Sequence, residues 1–244
     1  MSYFSKLSFS FGTVAKVATL TLGATAAVAC SDSNSPPAPA GRVYVVNAAP
    51  LQPTIGLKVG GTAVANTNFA AQSSFLVGAS TTPKTITAYA ANGTTLLAST
   101  DLTIADNMSY NLVLSQTAPG VATTDFLSFP DTVSAPASGK VKVRVLNFSP
   151  IAPLFDLYVY DASTNISAAT ALATGGTAVA YRASSNYFEL PSGAKHIAVT
   201  APGTKTILAE IPTLTLNAGT AITVLTFDKL AGGAPLQINY WQDR

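Results

Sequence analysis

The feature that most constrains this chain is a stretch of eighteen residues that occurs twice. RVYVVNAAPLQPTIGLKV occupies residues 42–59, and KVRVLNFSPIAPLFDLYV occupies residues 142–159. The copies align without a gap at an offset of 100 positions, and their identical positions are Val43/Val143, Val45/Val145, Asn47/Asn147, Pro50/Pro150, Pro53/Pro153, Leu57/Leu157 and Val59/Val159. A repeat of this length indicates a duplicated domain. The chain is therefore predicted to hold two domains of about 100 residues each.

Both copies have the two-residue period of a half-buried strand. Lys140–Val145 alternates cations with valines, which places the valines on one face. Residues 147–153 then interrupt the strand, because proline has no N–H to donate and Asn and Ser favour turns. The alternation resumes in residues 154–160. The side chains of this second strand that we predict to face solvent are Asp156, Tyr158 and Tyr160.

A second shared sequence, GGTAVA, extends the repeat. It occurs at residues 60–65 and 175–180, an offset of 115, so the second copy carries an insertion of fifteen residues at 160–174. We predict a surface loop or short helix there. Short β-branched runs separated by Gly, Pro and Asn follow in both copies, and no long stretch has helical periodicity. The sequence thus predicts an all-β protein of two tandem β-sandwiches.

The domain limits follow from the repeat and from composition. The first sandwich is predicted at residues 41–130, the second at 140–244, and a Pro/Ser/Ala-rich linker at 131–139. A linker of this composition leads us to expect relative motion of the two domains.

Residues 1–29 have the layout of a secretory signal peptide. Lys6 and Lys16 are the only charged residues before Asp32, residues 17–26 are largely apolar, and the segment closes on Ala-Val-Ala. The segment is too short and too poor in large apolar side chains for a spanning helix, which needs roughly 20 apolar residues.

The cleavage sequence Ala27-Val28-Ala29-Cys30 has two interpretations. As a plain signal site it leaves Cys30 as an incidental thiol, and the protein is periplasmic or secreted. It also resembles the bacterial lipobox, whose cysteine carries a diacylglycerol, although Ala27 stands where leucine is commonest. We favour lipidation because the only cysteine of the chain is at this position; the multi-chain anchor it implies holds stably, since a single acyl chain is marginal. Ser31, rather than Asp, resembles lipoproteins sent to the outer membrane, and residues 30–40 are predicted to be an extended Ser/Pro-rich tether.

Charge and cysteine content exclude several classes of function. Without Lys6 and Lys16 the chain has eleven Lys and Arg against eleven Asp and Glu, and it has no basic run. Nucleic-acid binding is therefore disfavoured. One cysteine permits neither an intrachain disulfide nor a cysteine-based zinc site.

The V-x-V-x-N-x-x-P-x-x-P-x-x-x-L-x-V pattern, followed by G-G-T and later by Leu190-Pro-Ser-Gly193, resembles a bacterial envelope family known as domain of unknown function 4397. The resemblance covers residues 41–244, and the first copy is the more diverged, with Gly56 in place of Asp156. It implies a β-sandwich of immunoglobulin or transthyretin type, in tandem copies within secreted proteins and lipoproteins. It implies no activity.

Catalytic and metal-binding residues are few. His196 is the only histidine, and its alternation with Ile197 and Val199 places it on the outer face of a strand. No nucleophile motif accompanies it. Asp156 and Asp161 fall on opposite faces of one strand, so they cannot share a metal without a bend. We therefore predict no catalytic residue, no metal site and no cofactor.

The aromatic residues are the best candidates for ligand binding. Tyr158 and Tyr160 share the predicted outer face of one strand, and Trp241 falls out of phase with its apolar neighbours. Such rings could stack on a polysaccharide or contact an envelope protein. The competing interpretation is that they cover an interdomain contact or the insertion.

Three hypotheses about function follow. The leading one is a non-enzymatic, lipid-anchored envelope module that binds or scaffolds another envelope component, with the membrane reached through the N-terminal lipid. A purely structural spacer is the alternative. A secreted hydrolase is the third, and it requires His196 to be buried beside an acid and a serine.

Overall fold

The structure, a computed structural model, describes residues 38–130, 133–170 and 177–243. The predicted signal peptide, Cys30 and most of the tether lie outside these residues. The strands of the first repeat are β1 (Ala40–Asn47), β2 (Thr54–Val59), β3 (Thr62–Asn68), β4 (Gln72–Gly78), β5 (Ser80–Ala90), β6 (Leu96–Ile104), β7 (Ser109–Gln116) and β8 (Thr124–Pro130). Those of the second are β9 (Lys140–Phe148), β10 (Leu154–Asp161), β11 (Val179–Ala180), β12 (Phe188–Pro191), β13 (Gly193–Thr200), β14 (Ile207–Leu216), β15 (Ala221–Phe227) and β16 (Gln237–Gln242).

Each repeat folds into two four-stranded sheets with the same strand order. In the first repeat the sheets are β4-β1-β7-β8 and β3-β2-β5-β6; in the second they are β12-β9-β15-β16 and β11-β10-β13-β14. β1 pairs in parallel with β7, and β9 pairs in parallel with β15. The registers correspond as well, since Val45 lies opposite Leu112 and Val145 lies opposite Val224.

The alternating valines form the two cores. Val43 and Val45 pack with Ile55 and Leu57 from the facing sheet of the first repeat. Val141, Val143 and Val145 pack with Phe155, Leu157 and Val159 in the second repeat, as the sequence predicted. Because both sheets of each repeat contribute to one closed apolar core, the predicted all-β fold with two β-sandwiches is confirmed.

The proline-broken corner between the first two strands is braced by its asparagine. The Asn47 carboxamide accepts the Ala49 N–H at 3.1 Å and donates to Gln52 O at 2.7 Å. Asn147 does the same in the second copy, accepting the Ser149 N–H at 3.0 Å and donating to Ala152 O at 2.9 Å. The asparagine thus satisfies backbone groups that the prolines leave without a ladder partner.

The insertion connects β10 to β11, where the first repeat has only the turn Gly60–Gly61 between β2 and β3. Its described part is largely exposed and contains a single 3-10 turn at Ile166–Ala168, in agreement with the predicted loop or short helix. Lys205 Nζ donates to Ser167 O and Ala169 O and so holds this segment against the sandwich.

The predicted solvent-facing positions of β10 are wrong in two cases. Asp156 is buried because its carboxylate accepts the N–H groups of Ala178 and Gly203, each at 2.7 Å. Tyr158 is buried beneath the turn that joins β13 to β14 and contains Gly203. Its hydroxyl donates there to Thr204 O at 3.4 Å. Both side chains do lie on the outer face of the sheet, but that face is covered by other segments of the same sandwich.

The two sandwiches share an apolar cluster, which we call the interface cluster. It lies on the outer faces of β1, β7, β9 and β15, and its fully buried members are Val46, Ala48, Val113, Leu146, Phe148, Leu225 and Phe227. Phe69 and Phe129 extend it by edge-to-face contacts with Phe227 and Phe148, each with ring centroids 5.9 Å apart. An apolar contact of this kind opposes the relative motion that the linker composition led us to expect.

Among the residues that the structure describes, none forms a helix with the length and apolar character needed to cross a bilayer.

Candidate functional site

The two copies of the repeated sequence meet at one cleft, which we call the corner cleft. Its volume is about 330 Å³. It lies between the corner of the first repeat and that of the second, and its lining residues are Pro50, Leu51, Gln116, Pro119, Gly120, Pro150, Ile151, Asp228, Ala231, Gly232 and Gly233. The cleft exists only because the duplicated sandwiches pack with these corners side by side.

Turn geometry presents one apolar side chain from each corner. Gln52 N–H donates to Ala49 O at 2.9 Å, and Ala152 N–H donates to Ser149 O at 3.3 Å, so each corner closes as a tight turn. Leu51 and Ile151 occupy the same position in these turns and remain 43% and 47% exposed. Two large aliphatic side chains in matching positions therefore flank a single cleft.

The floor of the corner cleft carries a buried carboxylate. Asp228 is 3% exposed, and its carboxylate accepts the Ser149 hydroxyl at 2.5 Å and the Gly233 N–H at 3.2 Å. The Ile151 N–H lies 3.4 Å from the same carboxylate. Asp228 thus fixes the second corner to the segment that follows β15, and these donors supply the hydrogen bonds that a buried charge requires.

The first repeat closes the other side of the cleft. Gln116 Nε2 donates to Val121 O at 2.6 Å and holds the loop after β7. Ala231 N–H donates to Pro50 O at 2.8 Å, which ties a second-repeat loop directly to the first corner. Val121 and Leu230, each adjacent in the chain to a lining residue, are also exposed, at 37% and 48%.

The corner cleft combines an aliphatic rim with a polar floor. Its rim is aliphatic, and the one carboxylate among its lining residues is occupied by groups of the protein itself. Within the described ranges, no three His, Cys, Asp or Glu side chains come together as a metal site would require. Aliphatic residues exposed around a small polar floor form the kind of patch that contacts another molecule.

The three aromatic residues proposed from the sequence do not form a common surface. Tyr158 is only 6% exposed, so the prediction that its ring faces solvent is wrong. Trp241 packs against the interface cluster and donates its indole N–H to Asp243 Oδ1 at 2.9 Å. This is the interdomain contact that the sequence offered as the competing interpretation for the aromatic residues.

Tyr160 lies on the outer face beside the histidine. Its ring stacks on His196 with centroids 4.8 Å apart and an angle of 17° between the planes. Partial burial, and to a lesser extent the charge of Glu210, raise the pKa of Tyr160 above its ordinary value. His196 Nε2 lies 2.8 Å from Glu210 Oε2, so its described contacts are with an acid and a tyrosine ring.

Sequence reasoning missed Leu51 and Ile151. The repeated sequence was interpreted there as architecture alone, although both copies place a large aliphatic residue directly after Pro50 and Pro150. An aliphatic residue at the tip of a turn is a detectable signal. The sequence does not reveal that the two tips converge, because the packing of the two sandwiches brings them together.

Comparison with known proteins gives a family match. Residues 41–158 match the model of a family described as Domain of unknown function (DUF4397). The match covers the first sandwich, the linker, and the second repeat as far as residue 158. It therefore includes the first copy of the repeated sequence and all but the last residue of the second.

The other comparisons add no function. No curated protein matches this chain. A leucine-rich repeat protein from Bacteroides thetaiotaomicron is similar over 79% of this chain and 26% of its own length, with 12% identity and a TM-score of 0.24. The chain thus spans about a quarter of that protein, and a resemblance at this score carries no argument.

Proposed function

We propose that this protein is a non-enzymatic, lipid-anchored module of the bacterial cell envelope, which binds a partner polypeptide at the corner cleft. The observation that carries the proposal is the convergence of Leu51 and Ile151, exposed and in matching positions, on one cleft. Exposed aliphatic residues around a cleft are typical of interaction sites. A few such anchors supply most of the binding energy of an interface.

The position of the corner cleft suits a partner beyond the membrane. The tether enters the first sandwich at the start of β1, and the first corner follows the end of β1. A strand of eight residues separates the two points by about 25 Å. A lipid at Cys30 would therefore be joined to the fold at the end of β1 opposite the corner cleft.

A polypeptide suits the cleft better than a polysaccharide does. Sugar rings are bound mainly by stacking on exposed aromatic faces. Tyr158 is buried, Trp241 is packed against the interface cluster, and the rim of the cleft is aliphatic. Aliphatic side chains from an extended segment would instead bury apolar surface between Leu51 and Ile151.

The binding proposal is tested by crosslinking on intact cells. The Leu51→Ser/Ile151→Ser double variant should lose the crosslinked envelope proteins that the parent captures, since both anchors are removed. Leu96→Ser is the matched control, because Leu96 is 55% exposed and does not line the corner cleft. Equal capture by the parent and the double variant would exclude the corner cleft as the binding site, and capture by neither would favour the spacer hypothesis. Capture of polysaccharide alone would move the site elsewhere.

The anchor is tested separately. Cys30→Ala should abolish labelling by a radioactive or clickable fatty acid and release the protein from the membrane fraction. Persistence of labelling in this variant, or a parent that takes no label, would support plain secretion after Ala29.

A further inference from the structure

A second cleft lies at the end of the first sandwich where the chain enters; we call it the anchor-end cleft. Its volume is about 550 Å³, and its sides come from β3 and β4. Val64 and Leu76 line it and remain 37% and 61% exposed. Lys84 of β5 also lines it. Apolar side chains this exposed on edge strands would not normally be left facing water.

The second sandwich has a smaller cleft at the corresponding place. Val159 and Lys195 line it, at the positions that correspond to Val59 and Lys84 in the first repeat. There the cleft is about 270 Å³, half the size, and Thr164, Ala168 and Ala169 of the insertion contribute to its lining. The insertion thus adds chain to this end of the second sandwich, and the first repeat has no such segment.

The two clefts also differ in charge. Lys195 forms an ion pair with Asp161, the residue directly opposite it on β10. The corresponding residue in the first repeat is Gly61, which has no side chain. Among the residues that the structure describes, no carboxylate forms an ion pair with Lys84. The anchor-end cleft therefore presents a cation where the smaller cleft presents a neutral pair.

The tether enters the fold beside the anchor-end cleft. Ala79 N–H donates to Pro39 O at 2.9 Å, and Ala40 pairs with Gly78. Gly78 and Ala79 both line the anchor-end cleft. Cys30 lies only eight residues before Ala38, so a fully extended tether spans about 30 Å at most. The chain that follows Cys30 therefore joins the fold beside this cleft.

Two further exposed or charged side chains lie at this end. Arg42 lies opposite Leu76 in the sheet, and Met108 is 43% exposed with its carbonyl accepting the Arg42 N–H at 2.8 Å. The acids nearest this end are Asp106, which accepts the N–H of Ala40 at 2.9 Å, and Asp101, which lies opposite Thr85 on β6. Cations beside exposed apolar side chains match the boundary between phosphate groups and acyl chains in a bilayer.

We propose that the anchor-end cleft is a membrane-contacting surface, in which Leu76 and Val64 insert among lipid acyl chains while Lys84 and Arg42 pair with lipid phosphates. This inference rests on the proposed anchor at Cys30. It adds an orientation to it: the first sandwich lies with β3 and β4 against the bilayer, and the corner cleft is directed outward.

The experiment uses the chain from residue 30 to residue 244 with Cys30→Ser, so that no acyl chain contributes. It is sedimented with vesicles of phosphatidylglycerol and phosphatidylethanolamine, and with vesicles of phosphatidylcholine alone. Binding should be stronger to the anionic vesicles and weaken with salt. Leu76→Ser and Lys84→Glu should each reduce it by about tenfold, the loss expected for one buried leucine or a reversed charge at a lipid surface.

Leu96→Ser is the matched control, because Leu96 is an exposed leucine that lines neither the anchor-end cleft nor the corner cleft, and its loss should leave vesicle binding unchanged. A second measurement detects contact with the bilayer directly and does not rely on a loss of binding in a variant. Cys30 is the only cysteine of the chain. A polarity-sensitive dye on Leu76→Cys in the Cys30→Ser chain should therefore shift to the blue with vesicles, whereas the same dye on Leu96→Cys should not.

Absence of vesicle binding by the parent, or equal binding by the Leu76→Ser and Lys84→Glu variants, overturns the inference. Binding of a synthetic peptide with the sequence of residues 160–170, lost in Lys84→Glu and without vesicle binding, would assign the cleft to an acidic peptide and also overturns it. The outcome is separate from the anchor test, since fatty-acid labelling at Cys30 with no vesicle contact would leave the anchor proposal standing.

Discussion

Asn47 and Asn147 are the residues on which each corner depends. Both are completely buried, and each carboxamide bonds the backbone two and five residues later. Asn147 also donates to Val179 O at 3.0 Å, which links the corner to β11. Removal of such a side chain leaves several buried backbone groups without partners, and each costs about 1–3 kcal/mol.

Asn147→Ala should therefore lower the free energy of unfolding by about 2–4 kcal/mol, measured by urea denaturation. Asn217→Ala is the control, because Asn217 is exposed, and its loss should change stability by less than about 0.5 kcal/mol. A similar small effect at both positions would show that the corner is held by its prolines alone.

Among the strands, β16 is fastened by a buried polar cluster around Asp243. The Asp243 carboxylate accepts the Thr223 hydroxyl at 2.7 Å, the Tyr187 hydroxyl at 3.0 Å and the Trp241 indole N–H at 2.9 Å. The Arg144 guanidinium lies 3.7 Å from the same carboxylate and 4.6 Å from the centre of the Tyr187 ring. The arginine predicted to alternate outward is therefore buried on the outer face of β9, where the C-terminal strand and Tyr187 surround it.

This cluster makes stability sensitive to alkaline pH. Burial, followed by the nearby charge of Asp243, raises the pKa of Tyr187 above its ordinary value of 10.0. Tyr187 then stays protonated in the folded state while it ionises in the unfolded chain. Its contribution to stability is complete below pH 10 and is lost as the pH rises above that value.

The free energy of unfolding should therefore fall as the pH rises above about 10. The free energy of unfolding of Tyr187→Phe should fall less steeply over the same range, although this variant is less stable than the parent at neutral pH. Fluorescence of Trp241, the only tryptophan, reports the transition. Tyr181, whose pKa is also raised by burial, is expected to leave a residual slope. Parallel curves for parent and variant would exclude Tyr187 as a source of the dependence.

The whole molecule is organised around contacts that repeat on both sides of the interface. Phe69 and Tyr181 make equivalent backbone hydrogen bonds to the two corners. The Phe69 N–H donates to Pro53 O at 2.9 Å, and the Tyr181 N–H donates to Pro153 O at 2.8 Å. Phe69 reaches into the second repeat against Phe227, and the Tyr181 hydroxyl reaches into the first to donate to Gln116 O at 2.9 Å. The same surface of each repeat contacts the other, as in a two-fold symmetric dimer.

We predict that the two sandwiches unfold together in one calorimetric transition. Leu146→Asp should separate them into two transitions and increase the radius of gyration in X-ray scattering. Leu146 is completely buried in the interface cluster rather than in the sandwich core, so each sandwich can still fold. Leu154→Asp is the control, because Leu154 is 44% exposed and lies outside that cluster. Independent unfolding of the parent would instead favour the mobile linker.

The sequence by itself determined the duplication, the inward valines and the turns at Asn47 and Asn147. These features depend on the two-residue period of a strand and on the local chemistry of Asn and Pro, which need no distant partner. The polar and aromatic positions of β10 were harder to place. Period two gives the face of the sheet correctly for Asp156 and Tyr158, but it does not say whether another segment covers that face.

Only the tertiary structure decided where the candidate sites are. Leu51 and Ile151 are a hundred positions apart, and they flank one cleft because Val46, Leu146 and Phe227 bring the outer faces of two sheets together. Lys84 and Lys195 have equivalent positions, yet only Lys195 has an acid opposite it and a loop above it. Contacts between segments distant in the chain form only when the fold closes, and no local pattern encodes them.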